Sequence, residues 1–184
     1  MTNEERTVHA IESLDRMNNW ISECDNKAGT VLGILGVMMT IILTSDGLKA
    51  IRGIWLACLK DITFCKVLYL LSFVSAVILM MKGCFDFISV LFARISPEQH
   101  AALGTIQDSK VFFGTIAANA TFDDYLHKVE KLDEEQYWRE IESQVYINSK
   151  IARKKYKLFN SGFKLSLIGF GAFAAIVLIG LILY

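Results

Sequence analysis

The chain has 184 residues, of which 53% are hydrophobic, and its formal net charge is zero. The hydrophobic fraction exceeds the roughly 45–50% of soluble domains. The zero net charge excludes the broad basic field of a nucleic-acid-binding protein, so we expect no nucleic-acid partner. Apolar residues are concentrated in long blocks, and only one proline is present. These properties predict an all-α membrane protein with three transmembrane helices and a helical cytoplasmic module.

The N-terminal part of the chain changes from amphipathic to wholly apolar at residue 28. Leu14, Met17 and Ile21 recur at three- and four-residue spacing, which predicts a cytoplasmic amphipathic helix over residues 1–27. Residues 28–45 carry no charge and form the first predicted transmembrane helix. A short non-cytoplasmic loop is predicted to follow over residues 46–62.

The second predicted transmembrane helix covers residues 63–82. Apolar residues continue at helical spacing beyond it, so we expect the same helix to extend to residue 95. Ser96-Pro97 is typical of a new helix start. It opens the predicted cytoplasmic sensor module, residues 96–160.

Two further helix starts are predicted inside the module, at Thr121 and at Asp133. Both residue types accept hydrogen bonds from the free N–H groups of a first helical turn. The helical pattern that follows Asp133 continues to Phe159, and we expect Asn160-Ser161-Gly162 to bend that helix.

The predicted topology follows from charge. A basic run, Arg153-Lys154-Lys155-Tyr156-Lys157, precedes the third predicted transmembrane helix, residues 163–184. Cytoplasmic segments beside membrane helices are enriched in Lys and Arg, so we expect the N-terminus and the module to be cytoplasmic. The lipid bilayer is therefore the first predicted partner.

No catalytic constellation is present in the sequence. The three histidines are scattered without a second ligand at metal-binding spacing, and no phosphate-binding glycine loop or nucleophile motif occurs. The acidic clusters fit helix starts, where negative charge complements the helix dipole. We therefore expect no enzymatic activity, no metal and no cofactor.

Two clusters admit either an anchoring role or a ligand role. The segment Trp20–Lys27 places an acid, Asp25, and a base at the mouth of the first span, where interface anchoring with a polar helix contact competes with a ligand or gate role. The second cluster is Asn148 with Arg153, Lys154, Lys155 and Lys157. There, binding of anionic lipid headgroups competes with binding of a phosphate.

Further short groups of residues occur at intervals along nearly the whole chain. They are Leu14-Asp15, Asn19-Trp20-Ile21, Asp25-Asn26-Lys27-Ala28, Phe113-Gly114, Asp124-Tyr125, Ile147-Asn148, Ile151 and Lys155-Tyr156. In this arrangement the chain resembles the bacterial Pycsar transmembrane effectors. The resemblance implies a multi-pass effector of the bacterial inner (plasma) membrane, with a pyrimidine cyclase as its functional partner through the cyclase product.

The resemblance also implies a mechanism of antiviral defence. Phage infection triggers synthesis of cyclic UMP or cyclic CMP, the effector binds this activating ligand, the inner membrane is disrupted, and the cell dies before phage are released (abortive infection). A nucleotide site needs an aromatic face for the base and a cation for the phosphate. The candidate ligand-binding residues are Trp20, Asp25, Lys27, Phe113, Asn148, Arg153 and Lys154.

Three spans are too few to enclose a pore, so we expect a homo-oligomer that rearranges when the ligand binds. Small residues let membrane helices approach closely, and the candidate packing positions are Gly29, Gly33, Gly169 and Gly171. Two other functions compete with this one. The chain is alternatively a passive membrane anchor or scaffold that recruits a cytoplasmic partner, or a holin-like toxin that acts without a ligand. The large module argues against the toxin, which needs no sensor.

Overall fold

The structure, a computed structural model, describes residues 2–93, 103–106 and 108–183. Its helices are α1 (Asn3–Ile42), α2 (Ser45–Lys60), α3 (Phe64–Phe92), α4 (Phe113–Ala117), α5 (Phe122–Glu130) and α6 (Glu134–Leu183). By length and composition, α1, α3 and α6 are each able to cross a bilayer. The predicted all-α membrane fold with three transmembrane helices is confirmed.

The chain divides into two compact units, and α1 and α6 contribute to both. The first unit comprises residues 1–24 and 93–155, and from here on it is called the module in place of the predicted segment 96–160. The second unit, here called the membrane unit, comprises residues 25–92 and 156–184. α3 continues past residue 82, as expected, whereas residues 94–95 of the expected extension and the helix start predicted at Ser96-Pro97 lie outside the described residues. The described part of α3 ends at Phe92.

The segment predicted as a loop between the first two spans is mostly helical. α2 covers 16 residues, and Thr44 caps its N-terminus by accepting a hydrogen bond at Oγ1 from the Gly47 N–H at 3.3 Å. The acidic Asp46 lies in the first turn, where it complements the helix dipole. Asp and Gly are typical turn residues, but here they belong to a capped helix start.

Both helix starts predicted in the described part of the module are confirmed. Thr121 caps α5 by accepting a hydrogen bond from the Asp124 N–H at 3.2 Å. Asp133 precedes α6, and its Oδ1 accepts a hydrogen bond from the Gln136 N–H at 2.7 Å. α6 then continues as one helix through Asn160-Ser161-Gly162, where we expected a bend.

In the membrane unit, α3 and α6 pack against each other in antiparallel orientation. The Tyr69 hydroxyl donates to the Ile176 carbonyl at 2.8 Å, and the Phe87 ring lies 5.5 Å from the Phe159 ring. Residue numbers in contact therefore rise along α3 as they fall along α6. At 1.5 Å per residue, the distance from Tyr69 to Phe87 is about 27 Å, close to the roughly 30 Å of a hydrocarbon core.

Glycines bring the backbones of these two helices together. A Cβ atom on Gly83 would lie 2.7 Å from the backbone nitrogen of Ser166, and one on Gly169 would lie 2.7 Å from the backbone nitrogen of Met80. Such contacts are the main source of helix association where no water is present. The α3–α6 seam, as we call it, consists of Tyr69, Met80, Gly83, Phe87, Phe159, Gly162, Ser166, Gly169 and Ile176.

Candidate functional site

The predicted ligand-binding residues are divided between the two units. Asp25 and Lys27 belong to the membrane unit, whereas the other five belong to the module. Of those five, Trp20, Phe113, Arg153 and Lys154 are exposed, and Asn148 is partly buried. Five of the seven candidate ligand-binding residues therefore belong to the module.

Asn148 has a partner inside the module. Its side-chain amide donates a hydrogen bond to Oδ1 of Asn18 at 2.8 Å, which joins α6 to α1. Further towards the N-terminal ends of these helices, Asn3 and Arg6 of α1 share a pocket with Trp138 of α6. The two helices therefore run parallel through the module.

The module face of α1 has the spacing of a coiled coil. Its residues are buried or half-buried at alternating intervals of three and four: Thr7, Ala10, Leu14, Met17, Ile21 and Cys24. The inner face of α6 is less regular and contains polar residues: Glu140, Ile141, Gln144, Ile147, Ala152 and Lys155. The exposed hydrogen bond between Asn148 and Asn18 lies beside these packed faces and joins the two helices.

The basic residues near Asn148 do not share its face of α6. A helix turns about 100° per residue, so Arg153 and Lys154 lie about 140° and 120° away from Asn148, in opposite directions. Lys155 lies within about 20° of the Asn148 face, and it is only 4% exposed. The cation on the same face as Asn148 is therefore Lys155, which belongs to the predicted basic cluster but was not among the candidate ligand-binding residues.

Phe113 lies at the start of α4 and is 76% exposed. Its ring centroid is 4.7 Å from that of Phe112, with the planes tilted by 54°. Thr115 holds this short helix to the preceding segment, because its hydroxyl donates to the carbonyls of Ser109 and Phe112. Phe113 thus presents an accessible aromatic surface on a segment tied down by side-chain hydrogen bonds.

A buried carboxylate is the strongest electrostatic feature of the module. Glu140 is 3% exposed, and its Oε2 accepts hydrogen bonds from the Ser109 hydroxyl at 3.2 Å and from the Lys110 N–H at 2.5 Å. The Lys110 ammonium lies 3.3 Å from Oε1 of Glu140 and 3.9 Å from Asp108. Asp108 also pairs with Lys128 at 3.7 Å. We call these five residues the Glu140 cluster.

The Glu140 cluster fastens the segment before α4 to α6. A buried carboxylate is costly unless it is paired and hydrogen-bonded, and here both conditions are met. The cluster therefore holds the Phe113 segment and α6 together as one piece. Within the described ranges, no group of His, Cys, Asp and Glu side chains is placed to hold a metal ion.

The pocket between the N-terminal ends of α1 and α6 is small and polar. It has a volume of about 110 Å³ and is lined by Asn3, Arg6, Glu134, Glu135 and Trp138. Ligand pockets usually measure about 300–1,000 Å³. This pocket is too small to enclose a nucleotide, and its two glutamates would repel a phosphate.

Comparison with known proteins places the chain in a family. The family described as Pycsar effector protein domain matches residues 9–183. The chain belongs to the Pycsar effector family. It is similar to the Pycsar effector protein GmPycTM of Gulbenkiania mobilis, with 28% identity over 173 residues, which cover 88% of this chain and 86% of the relative. No solved structure matches the chain significantly.

Membership of the Pycsar effector family, with the three apolar helices, makes the protein a transmembrane effector of anti-phage defence. Effectors of this family are of a non-enzymatic kind. The family match over residues 9–183 includes parts of both the module and the membrane unit.

Sequence reasoning missed the inward-facing polar residues of this effector. Glu140, Gln144 and Lys155 are each less than 10% exposed, yet each interrupts an apolar stripe and resembles a surface residue. The usable signal was their phase, because Gln144 follows Glu140 by four residues and Ile141 by three, and Lys155 follows the buried Ala152 by three. A charged residue on the buried face of a helix needs a partner of opposite charge. The buried position of Glu140 therefore predicts a cation beside it, as in the Glu140 cluster.

The predicted packing glycines have different surroundings. Gly169 belongs to the α3–α6 seam, so it packs within one chain. A Cβ atom on Gly29, Gly33 or Gly171 would meet no atom within 4 Å. The missed packing residues are Gly83, Gly162 and Ser166, which lie near charged or polar neighbours in the sequence.

Proposed function

We propose that this effector is activated by a cyclic pyrimidine monophosphate, cyclic UMP or cyclic CMP, made on infection by a pyrimidine cyclase. Binding rearranges a homo-oligomer, the inner membrane is disrupted, and the infected cell dies. The observation that carries the proposal is the family match over residues 9–183, because this range contains both a sizeable module and three helices able to span a membrane. A protein that acted without a signal would not need the module.

The proposed topology places the N-terminus and the module in the cytoplasm, where the nucleotide is made. Support comes from the exposed cations Arg153, Lys154 and Lys157, which precede the apolar part of α6. Anionic lipids and the positive-inside rule both favour such residues on the cytoplasmic side. α6 is a single helix from Glu134 to Leu183 and contributes residues to both units.

We propose Trp20 and Phe113 as stacking surfaces for the base, and Arg153 and Lys154 as phosphate partners. Their exposure supports this assignment, since an unfilled site must be open to the ligand. Asn148 would act through its hydrogen bond to Asn18. A ligand shifts the population of protein conformations only when it binds one conformation better than another. The two conformations proposed here differ in the pairing of α1 with α6.

Asp25 and Lys27 remain proposed ligand contacts, and they lie where the part of α1 that belongs to the membrane unit begins.

Three spans per chain require several copies to form a passage, and Gly29, Gly33 and Gly171 are proposed contacts between copies. Their open surroundings support this role, because nothing in the same chain lies within 4 Å of a Cβ built there.

The test is calorimetry on the full-length protein in detergent, with cyclic UMP, cyclic CMP, cyclic AMP and a cyclic dinucleotide. We expect selective binding of a cyclic pyrimidine, and Arg153→Ala and Lys154→Ala to weaken it at least tenfold by removing a charged phosphate partner. Lys131→Ala, which removes an exposed cation at the end of α5, is the matched control.

Binding that is equal in both variants and in the control would show that the phosphate partners lie elsewhere. If none of the four nucleotides binds to folded protein, the sensor proposal fails and the anchor function gains support. Dye leakage from loaded vesicles then separates the remaining possibilities. The proposed effector releases dye only with nucleotide, a holin-like toxin releases it without nucleotide, and an anchor does not release it.

A further inference from the structure

α2 is attached at both ends to helices of the membrane unit. Two residues separate the end of α1 at Ile42 from the start of α2 at Ser45. Three residues separate the end of α2 at Lys60 from the start of α3 at Phe64. A chain covers at most about 3.5 Å per residue, so these connections cannot carry α2 far from the ends of the two spans. α2 therefore lies where α1 and α3 reach the boundary of the bilayer.

Around its axis, α2 has three faces roughly 110–140° apart. The first face packs into the membrane unit, with Ile54 5% exposed and Cys58 1% exposed. The second face is apolar but open, with Leu48 48% exposed and Leu59 51% exposed. The third face carries Lys49, Lys60 and Gly53. Arg52 and Leu56, which is 56% exposed, lie between the second and third faces.

The connections on both sides of α2 also carry exposed apolar residues, beside the exposed Asp61. Leu43 is 55% exposed, Ile62 is 72% exposed, and Phe64 at the start of α3 is 83% exposed. Together with the open face of α2 they continue the apolar outer surfaces of the spans. A surface of this kind is costly in water but is favourable against hydrocarbon.

Basic residues lie beside this apolar surface. Arg52 is placed about 20° from Leu59 on the helical wheel, between the open apolar face and the polar face that carries Lys49 and Lys60. Asp46, the acidic residue of α2, pairs with Lys49 at 3.3 Å in an exposed contact. Because α2 also carries Arg52 and Lys60, its net charge is positive. Long basic side chains at such a border reach from the apolar layer to the phosphate level.

We propose that α2 is an interfacial helix that binds anionic lipids. Its Leu48–Leu59 face lies in the outer part of the acyl layer, and Lys49, Arg52 and Lys60 contact lipid phosphates. This assigns a lipid-binding surface to a segment between two spans, and it does not depend on the identity of the activating nucleotide.

The position of α2 is tested with single-tryptophan proteins in vesicles. In a Trp20→Phe, Trp55→Phe, Trp138→Phe background, tryptophan is placed on the apolar face (Leu59→Trp) or on the polar face (Gly53→Trp). Gly53 is a suitable control because nothing lies within 4 Å of a Cβ built there. We expect brominated lipid to quench the Leu59→Trp protein at least about threefold more, and acrylamide to show the opposite order.

Two results would overturn the proposal. Equal acrylamide quenching without bromine quenching would place α2 in water, and equal bromine quenching at both positions would place it inside the hydrocarbon. Leu48→Trp lies on the same face as Leu59→Trp and replaces it if that variant does not fold, as judged by circular dichroism.

The binding of headgroups is tested with a charge-removal variant. We compare Lys49→Gln/Arg52→Gln/Lys60→Gln with the control Arg16→Gln/Lys131→Gln/Arg139→Gln, which removes three exposed cations from the module. Spin-labelled phosphatidylglycerol and phosphatidylcholine report the preference of the full-length protein for anionic lipid. We expect that preference to fall about threefold or more in the α2 variant relative to the control. An equal preference would overturn the assignment of the three cations to lipid phosphates.

Discussion

Replacement of Gly169 by alanine tests the α3–α6 seam directly. The added Cβ would lie 2.7 Å from the backbone nitrogen of Met80, 2.9 Å from its Cγ and 3.1 Å from the Leu79 carbonyl carbon. Carbon contacts are favourable at about 3.5–4.0 Å, so the two backbones must separate by roughly 0.7 Å or more. The Met80 side chain can move, but its backbone nitrogen is part of α3 and cannot move alone.

The energetic cost follows from this overlap. Overpacking of a well-packed contact costs about 1–3 kcal/mol, and alanine recovers up to about 1 kcal/mol through its better helix propensity. Gly36→Ala, in α1, gives a comparable gain without the clash, because a Cβ on Gly36 meets nothing within 4 Å and Gly36 is not a proposed contact between copies. The difference between the two variants therefore measures the clash, which we expect to be about 2 kcal/mol.

The assay is reversible unfolding of the full-length protein in detergent, followed by circular dichroism. The Gly169→Ala protein should have a Tm roughly 4–8 °C below that of the Gly36→Ala protein. Equal stability of the two variants would refute the reasoning, because it would mean that Gly169 is not in close contact with the α3 backbone and that the helices pair in a different register.

Three further predictions concern hydrogen bonds. Tyr69→Phe removes the hydroxyl that donates to α6, and the same unfolding assay should show a loss of about 1 kcal/mol; unchanged stability would mean that this bond contributes nothing. Glu140→Gln removes the buried charge opposite Lys110 and should cost about 2 kcal/mol locally, so trypsin should cleave after Lys110 roughly thirtyfold faster. An unchanged cleavage rate would contradict the fastening role. A double-mutant cycle of Asn18→Ala and Asn148→Ala should give a coupling energy of about 1 kcal/mol, whereas zero coupling would argue against the amide pair.

The spans were predictable from sequence because hydrophobicity over about 20 residues is a local property of the chain. α2 was not, because its 16 residues include charges at regular intervals and are too few to span. Its amphipathic phase was available in the sequence, but Asp46 and Gly47 resembled a turn. The cap at Thr44 and the packing of Ile54 decide in favour of a helix.

The candidate site was less predictable because it depends on helix phase and register. Asn148 was selected as a candidate ligand-binding residue, but its hydrogen-bond partner Asn18 lies 130 positions away in the sequence. Among three adjacent basic residues, the two that were selected are exposed, whereas Lys155 faces inwards. Which of the three is buried is set by the pairing of α6 with α1, and a single helical pattern does not contain that information.

The glycine contacts of the α3–α6 seam limit how ions could cross the membrane. The Gly83 carbonyl would lie only 3.0 Å from a Cβ on Gly162, so the two backbones leave no room for a hydrated ion between them. Permeation through the middle of one chain would require both helices to lose this contact and the Tyr69 hydrogen bond. Under the proposed function, conduction would therefore begin only above a threshold number of assembled copies, and leakage should depend steeply on protein density in the membrane.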